Sequence, residues 1–486
     1  MAHRDFKLIS ILLIAFILRI VSLNQSFWLD EAIQATLSTK NPFTLNFAND
    51  FQPPLFYLLT ALWQKIGINF EWFLRIPSVF FGILTIYFLY KLVKKIRDEK
   101  AATLSAFLLA TAPFHIYYSQ EYRMYSLFSC LVVLSWLLLH QKRRWLFSLV
   151  TMLMLYTHYF AFIVIISQFI YLIFNSKNLL KKYAVSTFLS FVPFILWLPV
   201  LQKQINTASN LISVWPKWQL VAGVTFLKFP FMVLAKFTVG MISPANKMLY
   251  GAIVLTSAII FIIACFRLLH QHFQLRRLRL ALGEPKIGIL LIAFLSPLIL
   301  VWIASLWISA NAPHRLLFVL PFFYGILAVG LLQINNKKLK IGLLSLLFLF
   351  NFIFSFIYLF DPINHRETWR ETISYTDNKI ADREVVLTEF TDPWAPMFWY
   401  SKKPERYYGA SSTMKISDNS INSRLNSILS TFYPRPSTVI LYTYLFELSD
   451  PNRLVEKYLI DNKFTLTEEK DFRGVGIIKI FERRQL

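Results

Sequence analysis

The sequence predicts a polytopic α-helical membrane protein that ends in a small soluble α/β domain. Three observations carry that prediction. Residues 1–360 hold a succession of apolar stretches close to the roughly 20 residues that cross a bilayer core as helix. The short loops between them gather Lys and Arg: 32 of the 50 basic residues precede Asp361, against nine of the 27 acids. From Asp361 onward the composition becomes that of an ordinary soluble domain, with 18 basic and 18 acidic residues. The net charge of +23 therefore belongs to the loops of the membrane part, in the positive-inside pattern, and does not indicate a nucleic-acid partner.

The elements follow in order. Arg4 and Lys7 hold the N-terminus inside, and the first helix covers 8–24. No small-residue cleavage site follows it, so it reads as a retained helix. Residues 25–70 form a long outer loop. Within it, 54–66 is apolar but too short to span, which suits an interfacial helix. Helices over 72–92, 101–118 and 124–140 come next, with basic cytoplasmic loops at 91–100 and 142–144. Residues 145–174 hold two short helices that turn outside near His158. A helix over 183–202 leads to an outer stretch, 203–246, where Trp215 and Trp218 suit the headgroup layer. Helices over 247–268, 287–309, 316–334 and 341–360 complete about eleven spans and leave the C-terminus outside.

This divides the chain into a membrane domain, 1–360, and an extracytoplasmic domain, 361–486. In the latter, 384–389, 437–444 and 475–481 are rich in β-branched and aromatic residues and read as strands; 364–380 and 451–462 read as helices. Both cysteines, Cys130 and Cys265, fall in apolar segments, which leaves no disulfide framework and no thiolate metal site.

A membrane domain with so few anions is informative about where it keeps them. Asp5, Asp98, Glu99 and Glu284 map to the N-terminus or cytoplasmic loops. Asp30, Glu31, Asp50, Glu71 and Glu121 map near the outer surface, together with Arg75, His115, Arg123, His158, His314 and Arg315. Carboxylates beside cations at a lipid boundary suit a reaction with a nucleophile to deprotonate and an anion to hold. Plainer roles compete. Glu71 and Arg75 are spaced for a helix-surface pair. Asp30 and Glu31 suit a helix cap, and His158 suits a buried, hydrogen-bonded histidine.

Several stretches then resemble one superfamily. Phe27-Trp28-Leu29-Asp30-Glu31, Asp50-Phe51-Gln52-Pro53-Pro54-Leu55-Phe56-Tyr57 and Arg75-Ile76-Pro77-Ser78 resemble the N-terminal signature of GT-C membrane glycosyltransferases. The branch is that of the protein O-mannosyltransferases and the lipid A aminoarabinose transferase. Tyr117 to Ser126 (YYSQEYRMYS) is similar to the second outer loop of bacterial members. Pro313-His314-Arg315-Leu316 with Pro321 resembles a later outer loop, and Thr368-Trp369-Arg370-Glu371 the start of their C-terminal domain. Gln52 departs from the Asn, Asp or His that many relatives carry there.

The resemblance implies inverting glycosyl transfer from a polyprenyl-phosphate sugar to a glycan, lipid or protein acceptor, on the extracytoplasmic face of the cell membrane. It implies Asp30 as the base, with Glu31 and Glu121 in the catalytic group. Asp50, Arg123, His158, His314 and Arg315 would bind the donor and its phosphate. No cofactor is required. A divalent metal on Asp30, Asp50 and Glu121 is left open. Two other readings use the same residues: a polysaccharide ligase or polymerase with a lipid-diphosphate donor, and a transporter or flippase. Against the last, the acids lie at helix ends and no internal repeat is visible.

Overall fold

A computed structural model describes residues 2–40, 51–214, 224–277, 288–308, 310–380, 384–389, 395–411, 416–432 and 436–483. The chain divides into two compact units. The first is helical and comprises the described parts of 1–23, 46–208 and 217–364. The second comprises those of 24–45, 209–216 and 365–486.

In the first unit, five helical segments among the described residues are long and apolar enough to cross a membrane. They are Glu71–Ile96, Lys177–Asn210, Lys247–His270, Pro313–Leu332 and Lys337–Phe360. Shorter apolar helices cover Leu55–Gln64, Tyr125–His140, Arg144–Leu155, Ala161–Asn175 and Gly288–Ala304. Local chemistry sets their ends. Asp98 caps Glu99–Ala110 by accepting the Ala101 N–H at 2.8 Å, and Asn336 caps Lys337–Phe360 through the Leu339 N–H at 3.1 Å.

Two expectations need correction. The single helix over 101–118 is broken: Glu99–Ala110 stops, and a short helix restarts at Pro113–Ser119. Proline cannot donate to the preceding turn, so it opens a helix rather than continuing one. The outer stretch 203–246 is partly helical, with helices over Leu198–Val214 and Phe229–Val239. Trp215 and Trp218 lie outside the described residues.

Two contacts tie the helices together. Arg19, at the end of Ala2–Ile20, is fully buried. It donates to the Ala15 and Ala110 carbonyls at 2.9 and 3.0 Å and meets His115 Nδ1 at 2.6 Å. It thus occupies one carbonyl left over at the end of Glu99–Ala110, that of Ala110. The second contact is a close approach of backbones. A Cβ on Gly330 would collide with the Ala264 carbonyl, so the helices Lys247–Arg277 and Leu320–Leu332 meet through a residue without a side chain, a common device where helices pack in lipid. Gly330→Ala is expected to destabilise by about 1–3 kcal/mol. Thermal unfolding in detergent reads this. Gly342→Ala serves as the neutral control, since its Cβ would meet nothing within 4 Å.

The second unit contains a five-stranded sheet in the order β2-β1-β3-β5-β4. The strands are β1 (Val385–Thr388), β2 (Tyr407–Gly409), β3 (Thr438–Tyr442), β4 (Phe464–Phe472) and β5 (Gly476–Arg483). β1 lies parallel to β2 and β3, and β5 runs antiparallel to β3 and β4. Period-two alternation sends Val385, Leu387, Val439 and Leu441 to one core with Leu425, Val455 and Leu459. Val386, Ile440 and Tyr442 go to the other, with Trp369, Ile373 and Met397. Burial on both faces explains the continuous apolar runs of β1 and β3.

Candidate active site

The first unit brings four expected residues together. The turn between Pro113–Ser119 and Tyr125–His140 carries Glu121 and Arg123, both buried. Arg123 Nη1 donates to the Tyr57 hydroxyl at 3.4 Å, and its carbonyl accepts from Ser78 Oγ at 3.4 Å. Tyr57 belongs to Leu55–Gln64, which opens after Pro53-Pro54. That helix is anchored by the Leu55 N–H on the Tyr156 carbonyl at 2.9 Å. His314 and Arg315 enter on the 3-10 turn Pro313–Val319, whose first residue is again proline.

Aromatic rings wall the two imidazoles. His314 stacks on Tyr118 (6.0 Å between centroids) and meets the Tyr125 ring edge-on at 5.5 Å. His158 stacks on Phe128 at 5.0 Å and lies 6.5 Å from Tyr125. Arg315 and Arg123 lie close enough for their charges to act on both histidines. His158 Nδ1 accepts the Phe160 N–H at 3.0 Å, which leaves the proton of the neutral ring on Nε2, ready to donate. Two guanidiniums and two imidazoles in a ring-lined setting have the chemistry that suits an anion. Arginine's planar fork matches phosphate oxygens in particular. His115, expected on the same face, is instead packed against Arg19.

Asp30 and Glu31 belong to the second unit, in the first turn of the helix Leu29–Ser38, where helix polarity favours carboxylates. Asp30 is partly exposed, whereas Glu31 is fully buried and paired with buried Arg366, Nε to Oε2 at 3.3 Å. Glu31 thus pairs with a cation of its own unit. Asp50 lies outside the described residues. Among the described residues no three His, Cys, Asp or Glu side chains gather to hold a metal.

Sequence reasoning missed two carboxyls in the second unit. Burial, reinforced by the charge of Asp30, pushes Glu367 up to about 7 despite the hydrogen bonds it accepts. Burial and then the Asp450 charge push Glu389 up to about 8. A carboxyl raised in the folded state binds its proton more tightly there than in the unfolded chain. Stability therefore falls as pH rises from about 4.5 to about 8, by up to about 1.4 kcal/mol per pH unit for one such group. Thermal unfolding of the full chain between pH 5 and 9 is expected to show this decline, with a shallower slope in Glu389→Gln.

Comparison with known proteins gives a family match over part of the chain and a shared fold. Residues 51–202 match the family model of dolichyl-phosphate-mannose-protein mannosyltransferases. The sequence finds no match among curated proteins. The whole fold superposes on ArnT from Cupriavidus metallidurans, solved with undecaprenyl phosphate, at a TM-score of 0.61 and 11% identity over 98% of this chain and 97% of that one. The fold is that of a GT-C glycosyltransferase. The oligosaccharyltransferase of Archaeoglobus fulgidus, solved with zinc and sulfate, shares the GT-C fold at a TM-score of 0.54 and 14% identity, over 90% of this chain and 68% of that one. The same archaeal enzyme, AglB, in complex with an inhibitory peptide and a dolichol-phosphate, aligns at 0.51 and 13% identity over 90% and 69%. With its apolar helices and the GT-C fold it shares with these membrane proteins, the chain is an integral membrane protein, and its residues 51–202 resemble a glycosyltransferase family.

Proposed function

We propose that this GT-C protein transfers a sugar from a polyprenyl-phosphate donor to an acceptor hydroxyl on the extracytoplasmic face of the cell membrane, with inversion. The observation that carries the reading is the ring-lined cluster of Arg123, Arg315, His158 and His314. It suits a leaving phosphate monoester. That such lipids bind this fold is supported by the undecaprenyl-phosphate and dolichol-phosphate complexes of its neighbours.

In this reading Asp30 takes the proton of the acceptor hydroxyl. The acceptor oxygen forms its bond to the anomeric carbon from the face opposite the phosphate, and the bond from that carbon to the phosphate oxygen breaks. Polyprenyl phosphate departs with the electron pair. Because phosphate is weakly basic, no proton need be delivered to it; what lowers the barrier is the positive charge and N–H groups around its oxygens. Glu121 orients the acceptor or Arg123, and Asp50 contributes to donor binding. No cofactor is used. Residues 1–360 would form the catalytic membrane domain with eleven crossings and 361–486 the outer domain. Glu31 is assigned to holding the Asp30 stretch.

The test is transfer from radiolabelled polyprenyl-phosphate sugars in proteoliposomes, comparing wild type with Arg315→Gln. Release of polyprenyl phosphate by the wild type and its loss in the variant is the expected result. Release from a lipid-diphosphate sugar alone would move the donor class to the ligase reading.

A further inference from the structure

We infer that Glu367 is a positioning residue for Asp30, capping from a distance in sequence the helix whose first turn carries that base. The inference rests on the reading of Asp30 as base. Leu29 is the first residue of Leu29–Ser38, and the residue before it, Trp28, supplies no side-chain cap. The first N–H groups of a helix have no partner within the helix. That of Leu29 is donated to Glu367 Oε2 at 3.2 Å. The same oxygen accepts the Trp369 indole N–H at 2.6 Å, and Oε1 accepts the Tyr444 hydroxyl at 3.3 Å. One carboxyl thus joins the start of the Asp30 helix to the start of Trp369–Lys379 and to the end of β3.

The neighbouring contacts keep the approach to that helix in place. The Phe27 N–H is donated to the Tyr400 hydroxyl at 2.7 Å, and Ser26 Oγ accepts the Arg370 N–H at 2.9 Å. Arg366, beside Glu367, holds Glu31. The β4–β5 turn closes over Glu367: Gly474 has φ +75°, and a Cβ there would lie 2.8 Å from the Glu367 Cγ. The ionisable groups facing Glu367 are Asp30 and Tyr444. Arg473 on the turn donates instead to the Arg366 carbonyl at 2.8 Å. With Trp28 giving no cap, Glu367 is the side chain that fixes the entry of the helix, and with it the direction in which Asp30 points. A base misplaced by about 1 Å costs on the order of a hundredfold in rate.

The experiment compares wild type, Glu367→Ala and Glu367→Gln in the full chain, by amide hydrogen exchange over 27–31 and by sugar transfer in proteoliposomes. Glu367→Ala is expected to raise exchange of the Leu29 amide at least about tenfold and to lower kcat about a hundredfold, with KM for the lipid donor within about twofold. Glu367→Gln, whose side-chain oxygen still accepts the Leu29 N–H, is expected to restore both. If Glu367→Ala does not fold, Glu367→Asp, one methylene shorter, is expected to show the same pattern in smaller measure. Unchanged exchange and kcat in the Ala or Asp variant would overturn the inference. A Gln variant protected at Leu29 but as inactive as Ala would overturn it too, because the carboxyl would then act otherwise than by position. Protection that follows Glu367 while Asp30→Asn leaves transfer intact would support the cap and overturn the reading of Asp30.

Discussion

Asp30→Asn is expected to lower kcat by about 10²–10⁴-fold while leaving donor binding within about twofold. The size is that of a positioned general base. The sparing of donor binding follows from the proposed roles: Asp30 acts on the acceptor hydroxyl, and Arg123, Arg315, His158 and His314 hold the donor phosphate. Asparagine keeps the size of Asp30 and suits its partly exposed position but cannot accept the proton. Single-turnover transfer, with donor binding measured separately, reads both quantities. Glu31→Gln is a useful contrast: it leaves Arg366 buried without its anion, so its loss is expected in folding yield and thermal stability.

Arg315→Gln is expected to produce the complementary pattern, a loss of about 10²–10³-fold in kcat/KM. It should also weaken inhibition by added polyprenyl phosphate, the product whose phosphate the cluster would hold. Arg315 is partly exposed, which makes it a cleaner probe than buried Arg123, whose guanidinium also holds Tyr57. Arg315→Lys is expected to recover only part of the loss, since an ammonium keeps the charge but not the two parallel N–H groups that a phosphate accepts. A variant that slows transfer with unchanged inhibition by polyprenyl phosphate would place Arg315 away from the leaving group.

The contrast between what the sequence reveals and what it conceals is physical. Charged residues inside apolar surroundings stand out, which is why Arg123, His158, His314 and Arg315 could be picked out before any coordinates. Arg19 carries the same signal, an ionisable group within the first apolar helix. In the soluble domain charge carries no such information. Glu367 and Arg366 look like any of its 18 acids and 18 basic residues, and only the folded chain brings them to Leu29 and Glu31. Strands behaved likewise. β1, β3 and β5 were legible from their apolar and β-branched runs. β4, with Glu468, Glu469, Lys470 and Asp471, is a charged edge strand that shows no apolar alternation. β2 is three residues long, too short for any period. The helix break at Pro113 was legible in principle, since proline sits poorly inside a helix.

The measurement that bears most directly on the central claim is the fate of a doubly labelled donor. Proteoliposomes would receive a polyprenyl-phosphate sugar carrying one label in the sugar and another in the phosphate, with a cell-envelope extract as acceptor. The predicted result is sugar label in the acceptor fraction, with the anomeric configuration inverted. An equal amount of phosphate label should remain in polyprenyl phosphate, and both signals should disappear in Asp30→Asn. Donor that binds and returns intact, with both labels still in one molecule, would contradict the account.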